Sequence, residues 1–290
     1  MKQIASGELI VVGTGIGLAG NMTASTESII IQAEKLLYVV ADVATAAHLE
    51  QLNSTAESIY SLYDESLDRI DTYYKMTECI LDHVRAGLKT CAAFYGHPGI
   101  FVFPAHEAVL KARTEGYRAE MKAAVSAEDC LFADLGIDPG RVGCQSFEAT
   151  DFLVYDRIFD PNSLLVLWQV GVIGQIGFRR QFPIGQNIEV LKEALRAHYP
   201  ADHYVIVYEA SVLPVCDPVI RPFRLDKLDP SALSPISTLV VPPLSSRRGP
   251  NIDMVRRLDI PERYILKRAE DPSLYDPAKP GALVNWPATV

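Results

Sequence analysis

The sequence lacks the features of a membrane or secreted protein. No run of apolar residues approaches the roughly 18 that a membrane-spanning helix requires. Residues 1–7 lead almost directly into a strand-like segment and show no signal-peptide pattern. Because 49% of the 290 residues are nevertheless hydrophobic, we expect a packed globular protein located in the cytoplasm, with no membrane partner.

Cysteine and histidine are too scattered to form a zinc site. The five cysteines (Cys79, Cys91, Cys130, Cys144 and Cys216) include no C-x-x-C pair. The six histidines show no H-x-x-x-H spacing. An odd, dispersed set of cysteines is typical of reduced thiols in a cytosolic protein, so we expect neither disulfides nor a metal.

Basic residues are also few, and this argues against a nucleic-acid partner. The chain has 27 Lys and Arg against 36 Asp and Glu, a formal net charge of −9. The compact basic clusters are only pairs: Arg179-Arg180, Arg247-Arg248 and Arg256-Arg257. Nucleic-acid binding depends on clustered cations that neutralise phosphates, so DNA and RNA substrates are disfavoured.

Strand-like and helix-like segments alternate through the first half of the chain. The predicted strands are Glu8–Gly13, Leu36–Val40, Lys89–Tyr95 and Tyr117–Lys122. The predicted helices are Ser25–Lys35, Asp71–Ala86, Pro104–Glu115 and Ser126–Leu135. Such alternation is typical of an α/β fold with a mainly parallel sheet and helices on both faces.

The turn cluster Asp138-Pro139-Gly140 is the best candidate for a domain boundary. It divides an N-terminal α/β lobe, residues 1–138, from a second α/β lobe, residues 139–243, and a Pro-rich extension covers residues 244–290. The final stretch, 271–290, has no helical or strand period. We expect that stretch to wrap on a surface or to be disordered.

A glycine-rich segment follows the first predicted strand and permits two interpretations. Residues Gly15–Gly20 satisfy G-x-G-x-x-G, and Asp42 ends the second strand where a ribose-binding acid of a dinucleotide site would lie. The first helix, however, starts near Ser25 rather than within the glycines, so no helix N-terminus would meet a pyrophosphate. A tight turn that approaches a ligand or a neighbouring strand is the favoured alternative.

The segment Tyr95-Gly96-His97-Pro98-Gly99 follows a buried strand and places an exposed backbone turn at the carboxyl edge of the sheet. This loop resembles the S-adenosylmethionine-binding loop of the tetrapyrrole-methylase superfamily. Its His97, preceded by Tyr95, is similar to the borosin subfamily, the peptide backbone α-N-methyltransferases. Further matches run in order along residues 8–243, among them 125–139, 146–151, 168–171 and 235–243.

The resemblance implies a tetrapyrrole-methylase-like fold of two α/β lobes with the cofactor cleft between them. It implies S-adenosylmethionine as the cofactor and S-adenosylhomocysteine as its product. The cofactor-binding positions carried over are Tyr95, His97, Ile100, Ser126, Ala127, Gln169, Ala210, Ser237 and Thr238.

The catalytic segment of borosins is matched by Tyr63, Arg69 and Tyr73 at the borosin spacing. From the resemblance we expect Arg69 to stabilise negative charge and to lower the pKa of a neighbouring tyrosine. Tyr73 is the leading candidate for the base, Tyr63 orients the amide, and Tyr95 lies where the cofactor methyl and the substrate meet. Because Tyr73 also lies on an apolar helix stripe, residues alone would assign it to the core.

The resemblance also implies a homodimer, or a heterotetramer with two precursor chains. Fused borosins carry an apolar core peptide at their own C-terminus, whereas this sequence ends about 47 residues after Pro243. We therefore expect a ribosomally made precursor peptide supplied as a separate chain.

Four other functions remain open. A corrin- or siroheme-type tetrapyrrole methyltransferase leaves Tyr63, Arg69 and Tyr73 unexplained, and a ribosomal RNA methyltransferase conflicts with the acidic charge. A nicotinamide oxidoreductase explains only the glycine loop and Asp42. A cofactor-binding scaffold without turnover leaves the Tyr and Arg positions without a role.

Overall fold

The computed structural model describes residues 6–18, 21–40, 42–140, 143–177, 182–244, 251–261 and 263. The chain divides into two compact units. The first contains the residues up to Cys130 together with Gln175–Phe182 and Ala210–Pro218. The second contains Leu131–Gly174, Pro183–Glu209 and the residues from Val219 onward. The stretch 271–290 and the pairs Arg179-Arg180 and Arg247-Arg248 lie outside the described residues.

The first unit is built on a parallel sheet, which in the described part of the chain has five strands in the order β3-β2-β4-β1-β5. These strands are β1 (Glu8–Gly13), β2 (Lys35–Val39), β3 (Glu57–Ser58), β4 (Lys89–Phe94) and β5 (Arg118–Met121). The helices are α1 (Ala24–Gln32), α2 (Val43–Leu52), α3 (Arg69–Arg85) and α4 (Phe103–Thr114), while α5 (Ala127–Leu135) crosses the division between the units. The sheet and its connecting helices confirm the predicted α/β class.

Alternating side chains place helices on both faces of this sheet. Ala92 and Phe94 of β4 belong to the same apolar cluster as the α3 residue Ile80. Their neighbours Cys91 and Ala93 belong to the opposite cluster, which includes Ile30 of α1 and Leu49 of α2. Since successive side chains of a strand point to opposite faces, an apolar run such as β4 is buried on both sides.

The second unit holds a mixed sheet, for which the described residues give the strand order β6-β7-β10-β8-β9. Its strands are β6 (Cys144–Glu148), β7 (Leu164–Trp168), β8 (Tyr204–Glu209), β9 (Val219–Arg224) and β10 (Thr238–Val241). Its helices are α6 (Ala149–Val154), α7 (Ile188–Arg196) and α8 (Ile252–Arg257). Strands β6 and β7 are parallel, and the other pairs are antiparallel.

The described helices include none that is both long and apolar enough to cross a membrane. Within the same residues, no three His, Cys, Asp or Glu side chains are grouped closely enough to hold a metal ion.

Candidate active site

The amino end of α3 brings together three of the sequence-predicted catalytic residues. Tyr63 directly follows the 3-10 turn Ile59–Leu62, and its backbone N–H donates to the Tyr60 carbonyl at 3.1 Å. Arg69 is the first residue of α3, and Tyr73 lies one helical turn further on. Because residues four apart share one face of a helix, Arg69 and Tyr73 project on the same side.

The side chains of Tyr63 and Tyr73 lie close enough to influence each other. The pKa of Tyr63 is raised, mainly by burial and then by the neighbouring Tyr73, whereas the Arg69 guanidinium acts to lower it. Burial and Tyr73 both favour the neutral form of Tyr63. The effect of Arg69 therefore has the expected direction, but burial outweighs it at Tyr63.

Main-chain contacts fix the start of α3. Asp68 precedes the helix but makes no side-chain capping bond. The Arg69 N–H instead donates to the Ile176 carbonyl at 3.3 Å, and Asp68 bridges Gly177. Helix termini leave N–H groups without partners inside the helix, and here another segment of the chain supplies one. The Tyr73 ring in turn stacks on Phe103 of α4, with 6.1 Å between centroids.

Tyr95 directly follows β4 and does not join this trio. Its backbone N–H donates to the Val39 carbonyl at 3.0 Å. Burial raises the pKa of Tyr95 to about 12, with smaller contributions from Cys130 and Asp42. Among the described residues, no hydrogen bond or ring contact joins Tyr95 to Tyr63, Arg69 or Tyr73.

The loop after Tyr95 is shaped by its own histidine. His97 Nδ1 accepts a hydrogen bond from the Gly99 N–H at 2.9 Å, and the His97 carbonyl accepts one from the Ile100 N–H at 3.1 Å. His97 therefore stabilises the turn, and Ile100 is exposed at 38%. His106 of α4 contacts the Gly99 carbonyl at 2.9 Å from the other side.

The glycine-rich segment packs against this loop. Gly15 and Gly96 exchange backbone hydrogen bonds of 3.2 and 3.0 Å, and both have positive φ. A Cβ at Gly13 would lie 2.1 Å from the Gly96 carbonyl oxygen, so the close approach requires glycine there. These close contacts support the interpretation of the glycine segment as a tight turn against a neighbouring segment.

Two observations argue against the dinucleotide interpretation. Helix α1 begins at Ala24, with Thr23 as its N-cap, and not within the glycines. The Asp42 carboxylate caps α2 by accepting from the Thr45 N–H at 2.8 Å and from the Thr45 hydroxyl at 2.7 Å. An acid committed to a helix cap is poorly placed to bind a ribose.

Ser126 and Ala127 form the start of α5. The buried Ser126 hydroxyl accepts from the Asp129 N–H at 3.1 Å, while the Asp129 carboxylate accepts from the Ser126 N–H at 2.7 Å. This reciprocal pattern is a capping box with Asp in place of the usual Glu. It leaves the beginning of the helix rigid beside Tyr95, whose pKa responds to Cys130 of the same helix.

In the second unit the predicted positions are Gln169, Ser237 and Thr238. Gln169 adopts the left-handed region at φ 60°, which is uncommon for a residue other than glycine. Ser237 is fully buried, and its carbonyl accepts the Val170 N–H at 3.0 Å. Thr238 opens β10 and is buried. The remaining position, Ala210, follows β8 and groups with the first unit.

Comparison with known families identifies the family to which this fold belongs. Residues 8–213 match the model of the Tetrapyrrole (Corrin/Porphyrin) Methylases. The chain belongs to this methylase family. It is therefore a methyltransferase, as the resemblance of the Tyr95–Gly99 loop predicted.

Relatives of this methylase include fungal enzymes whose names join a methyltransferase to a peptide. The chain is 42% identical over 263 residues to a "methyltransferase/ribosomally synthesized type I borosin cyclic peptide precursor" from Coprinopsis marcescibilis. It is 41% identical to the omphalotin A precursor of Omphalotus olearius and 44% identical to a type III borosin precursor of Anomoporia bombycina. The matches cover 88%, 89% and 82% of this chain. They span 67%, 63% and 28% of those relatives.

Two solved structures confirm the methylase fold. The uroporphyrin-III-C-methyltransferase of Thermus thermophilus gives a TM-score of 0.58 at 19% identity, over 81% of this chain and 92% of that one. The methyltransferase CobJ gives 0.56 at 15% identity, over 83% and 96% of the two chains.

Sequence reasoning missed two carboxylates of this methylase. Glu128 lies in the first turn of α5, and its Oε1 is buried without a hydrogen-bond partner among the described residues. Glu209 ends β8 and accepts a hydrogen bond from the Ser237 hydroxyl. Each directly adjoins a position that the family resemblance had selected, namely Ala127 and Ala210. Their positions next to these two residues were the feature of the sequence that could have identified them.

Proposed function

We propose that this chain transfers methyl groups from S-adenosylmethionine to backbone amide nitrogens of a peptide. The cluster of Tyr63, Arg69 and Tyr73 carries the proposal, since it joins a cation and two phenols at one helix end. Methylation of an amide needs these groups, because an amide nitrogen is a poor nucleophile until its proton is removed.

The described residues fit the cofactor. S-adenosylmethionine has an ammonium and a sulfonium cation together with hydroxyl and amino donors, and it supplies an electrophilic methyl group when bound. The buried, unpartnered Oε1 of Glu128 suits such a donor. The packing of Gly13 against Gly96 fixes the backbone turn next to Tyr95, one of the positions expected to bind the cofactor.

Arg69 has the task of stabilising charge. When an amide loses its proton, negative charge develops on the carbonyl oxygen. A guanidinium or hydroxyl that points at that oxygen acts as an oxyanion hole, and each donor contributes about 3–4 kcal/mol in measured cases. The main-chain contact with Ile176 fixes the backbone of Arg69, so its side chain starts from a defined position.

Tyr73 is the better candidate for the base. Tyr63 is half-buried, and its pKa is raised by burial and by the neighbouring Tyr73. Both effects favour the neutral form of Tyr63, so Tyr63 is the poorer candidate for a base. We therefore assign proton removal to Tyr73 and support of Tyr73 to Tyr63.

A peptide substrate is supported by the relatives, whose printed names describe ribosomally synthesized cyclic peptide precursors. Those names join the methyltransferase and the precursor in one chain, so a separately supplied precursor stays a prediction. The homodimer and the cytoplasmic location also stay predictions. Light scattering at micromolar concentration tests the dimer, and a monomer would contradict it.

Calorimetry and methyl transfer test the proposal together. S-adenosylmethionine should bind tightly, and a nicotinamide dinucleotide should not. Arg69→Ala and Tyr73→Phe should slow peptide methylation by about 100-fold or more while cofactor affinity changes by less than a few-fold. Tyr74→Phe is the matched control, because Tyr74 lies on the same helix, is 43% exposed and contacts Phe103.

Two results would count against this assignment. Wild-type turnover by Tyr73→Phe would return that side chain to a purely structural role. Equal losses in Tyr73→Phe and Tyr74→Phe would show that the effect is not specific to the pair of Tyr63 and Tyr73.

A further inference from the structure

Glu209 is a carboxylate that forms no ion pair within the described part of the chain. It ends β8, is half-buried and immediately precedes Ala210. Its Oε1 accepts a hydrogen bond from the Ser237 hydroxyl at 2.5 Å. Among the residues that the structure describes, nothing donates to Oε2, and no Lys, Arg or His forms an ion pair with this side chain. Oε2 is not among the buried, unpartnered polar atoms of the described residues, so it is accessible to a ligand.

Ser237 is committed to holding this carboxylate. The residue is fully buried, and its hydroxyl accepts the Ser234 N–H at 2.8 Å while donating to Glu209. A hydroxyl has one proton to donate, and here Glu209 receives it. Ser237 therefore orients Glu209 and has no proton left to donate to a ligand.

Two further positions expected to bind the cofactor, Gln169 and Thr238, are connected to Glu209 through neighbouring residues. The Val170 N–H, directly after the strained Gln169, donates to the Ser237 carbonyl at 3.0 Å. Thr238 pairs in the sheet with Tyr208, the residue before Glu209. Strained backbone in a protein interior is characteristic of binding sites, and Gln169 supplies it here.

We propose that Glu209 binds a positively charged group of S-adenosylmethionine and that Ser237 is the positioning residue for its carboxylate. The proposal rests on the cofactor assigned under the proposed function. The cation is either the ammonium or the sulfonium, and the demethylated product distinguishes them because it keeps the ammonium and loses the sulfonium.

Calorimetry of the full chain tests Glu209 directly. Glu209→Gln keeps the length of the side chain and can still accept the Ser237 hydrogen bond, but it removes the charge. We expect the Kd for S-adenosylmethionine to rise by about tenfold or more, as for loss of a charged hydrogen-bond partner. Glu193→Gln, the same change on an exposed position of α7, should leave the Kd unchanged.

The two ligands decide between the cations. An equal loss of affinity for S-adenosylmethionine and S-adenosylhomocysteine supports the ammonium, and a loss for the methyl donor alone supports the sulfonium. Unchanged affinity for both in a folded Glu209→Gln protein overturns the proposal. If the wild-type protein binds neither ligand, the proposed cofactor is wrong, and the proposal for Glu209 is wrong with it.

A double-mutant cycle tests the positioning role. Ser237→Ala should weaken binding several-fold in the wild-type background and have little further effect in the Glu209→Gln background, because the two residues act as one unit. Melting temperatures of all variants separate this coupling from loss of folding. Additive losses would show that Ser237 does not act through Glu209.

Discussion

Replacing Gly13 by alanine tests whether the glycine loop is a packing turn. The added Cβ would lie 2.1 Å from the Gly96 carbonyl oxygen, 2.6 Å from the Ala124 Cβ and 2.7 Å from the Pro98 Cδ. None of these atoms is the end of a flexible side chain, so Gly96 has to move away from Gly15. Overpacking costs about 1–3 kcal/mol, and the two Gly15–Gly96 hydrogen bonds add about 1 kcal/mol each.

The total loss of roughly 3–5 kcal/mol predicts a fall in Tm of about 5–15 °C by circular dichroism. Cofactor affinity should fall with it, because Gly96 and Pro98 belong to the loop after Tyr95. Gly17→Ala is the control. Its Cβ would meet only the movable Asn21 side chain, at 3.0 Å, so its stability should change by about 1 kcal/mol or less. A stable Gly13→Ala protein with normal cofactor binding would refute this explanation. So would a larger loss of stability in Gly17→Ala than in Gly13→Ala.

Three further predictions follow from the positions of single side chains. Tyr63→Phe should reduce methyl transfer less than Tyr73→Phe, because it removes a hydroxyl beside the base and not the base itself. Single-turnover rates measure both effects, and the reverse order would exchange the two roles. The folded state should lose stability as pH rises from about 10 towards 12, because burial raises the pKa of Tyr95 from 10.0 to about 12 and the unfolded chain therefore releases this proton first. Denaturant titrations at about pH 9, below this range, and at about pH 11, within it, would contradict the prediction by giving equal free energies of unfolding. A thiol reagent should modify the exposed Cys216 rapidly and the buried Cys91 only on unfolding, since burial raises the pKa of Cys91 to about 12. Peptide mapping after brief alkylation tests this, and labelling of both cysteines would contradict it.

Segments with a strong hydrophobic period could be located from the sequence. The prediction of β1 coincides with the observed strand, and the predicted helix 71–86 differs from α3 by two residues at its start and one at its end. Short elements without such a period were missed, including α2 and β9. Neighbouring chain segments define those elements: β9, for example, pairs in antiparallel register with β8.

The site was predictable where a motif fixes spacing along the chain. Tyr63, Arg69 and Tyr73 lie close enough in sequence for the structure to bring them together. The contact of Arg69 with Ile176 could not be inferred, because more than 100 residues separate the partners. Glu209 was missed for the same reason, since its hydrogen-bond partner Ser237 lies 28 residues away along the chain.

Mass spectrometry of a methyl-transfer reaction tests the central claim most directly. The protein is incubated with S-adenosylmethionine that carries a deuterated methyl group and with a synthetic peptide rich in valine, isoleucine and glycine. Intact masses of protein and peptide show which chain is modified, and fragmentation locates the label. We predict label on backbone nitrogens, abolished by Tyr73→Phe and retained by Tyr74→Phe. Label on side chains, with backbone nitrogens of both chains unmodified, would contradict the account.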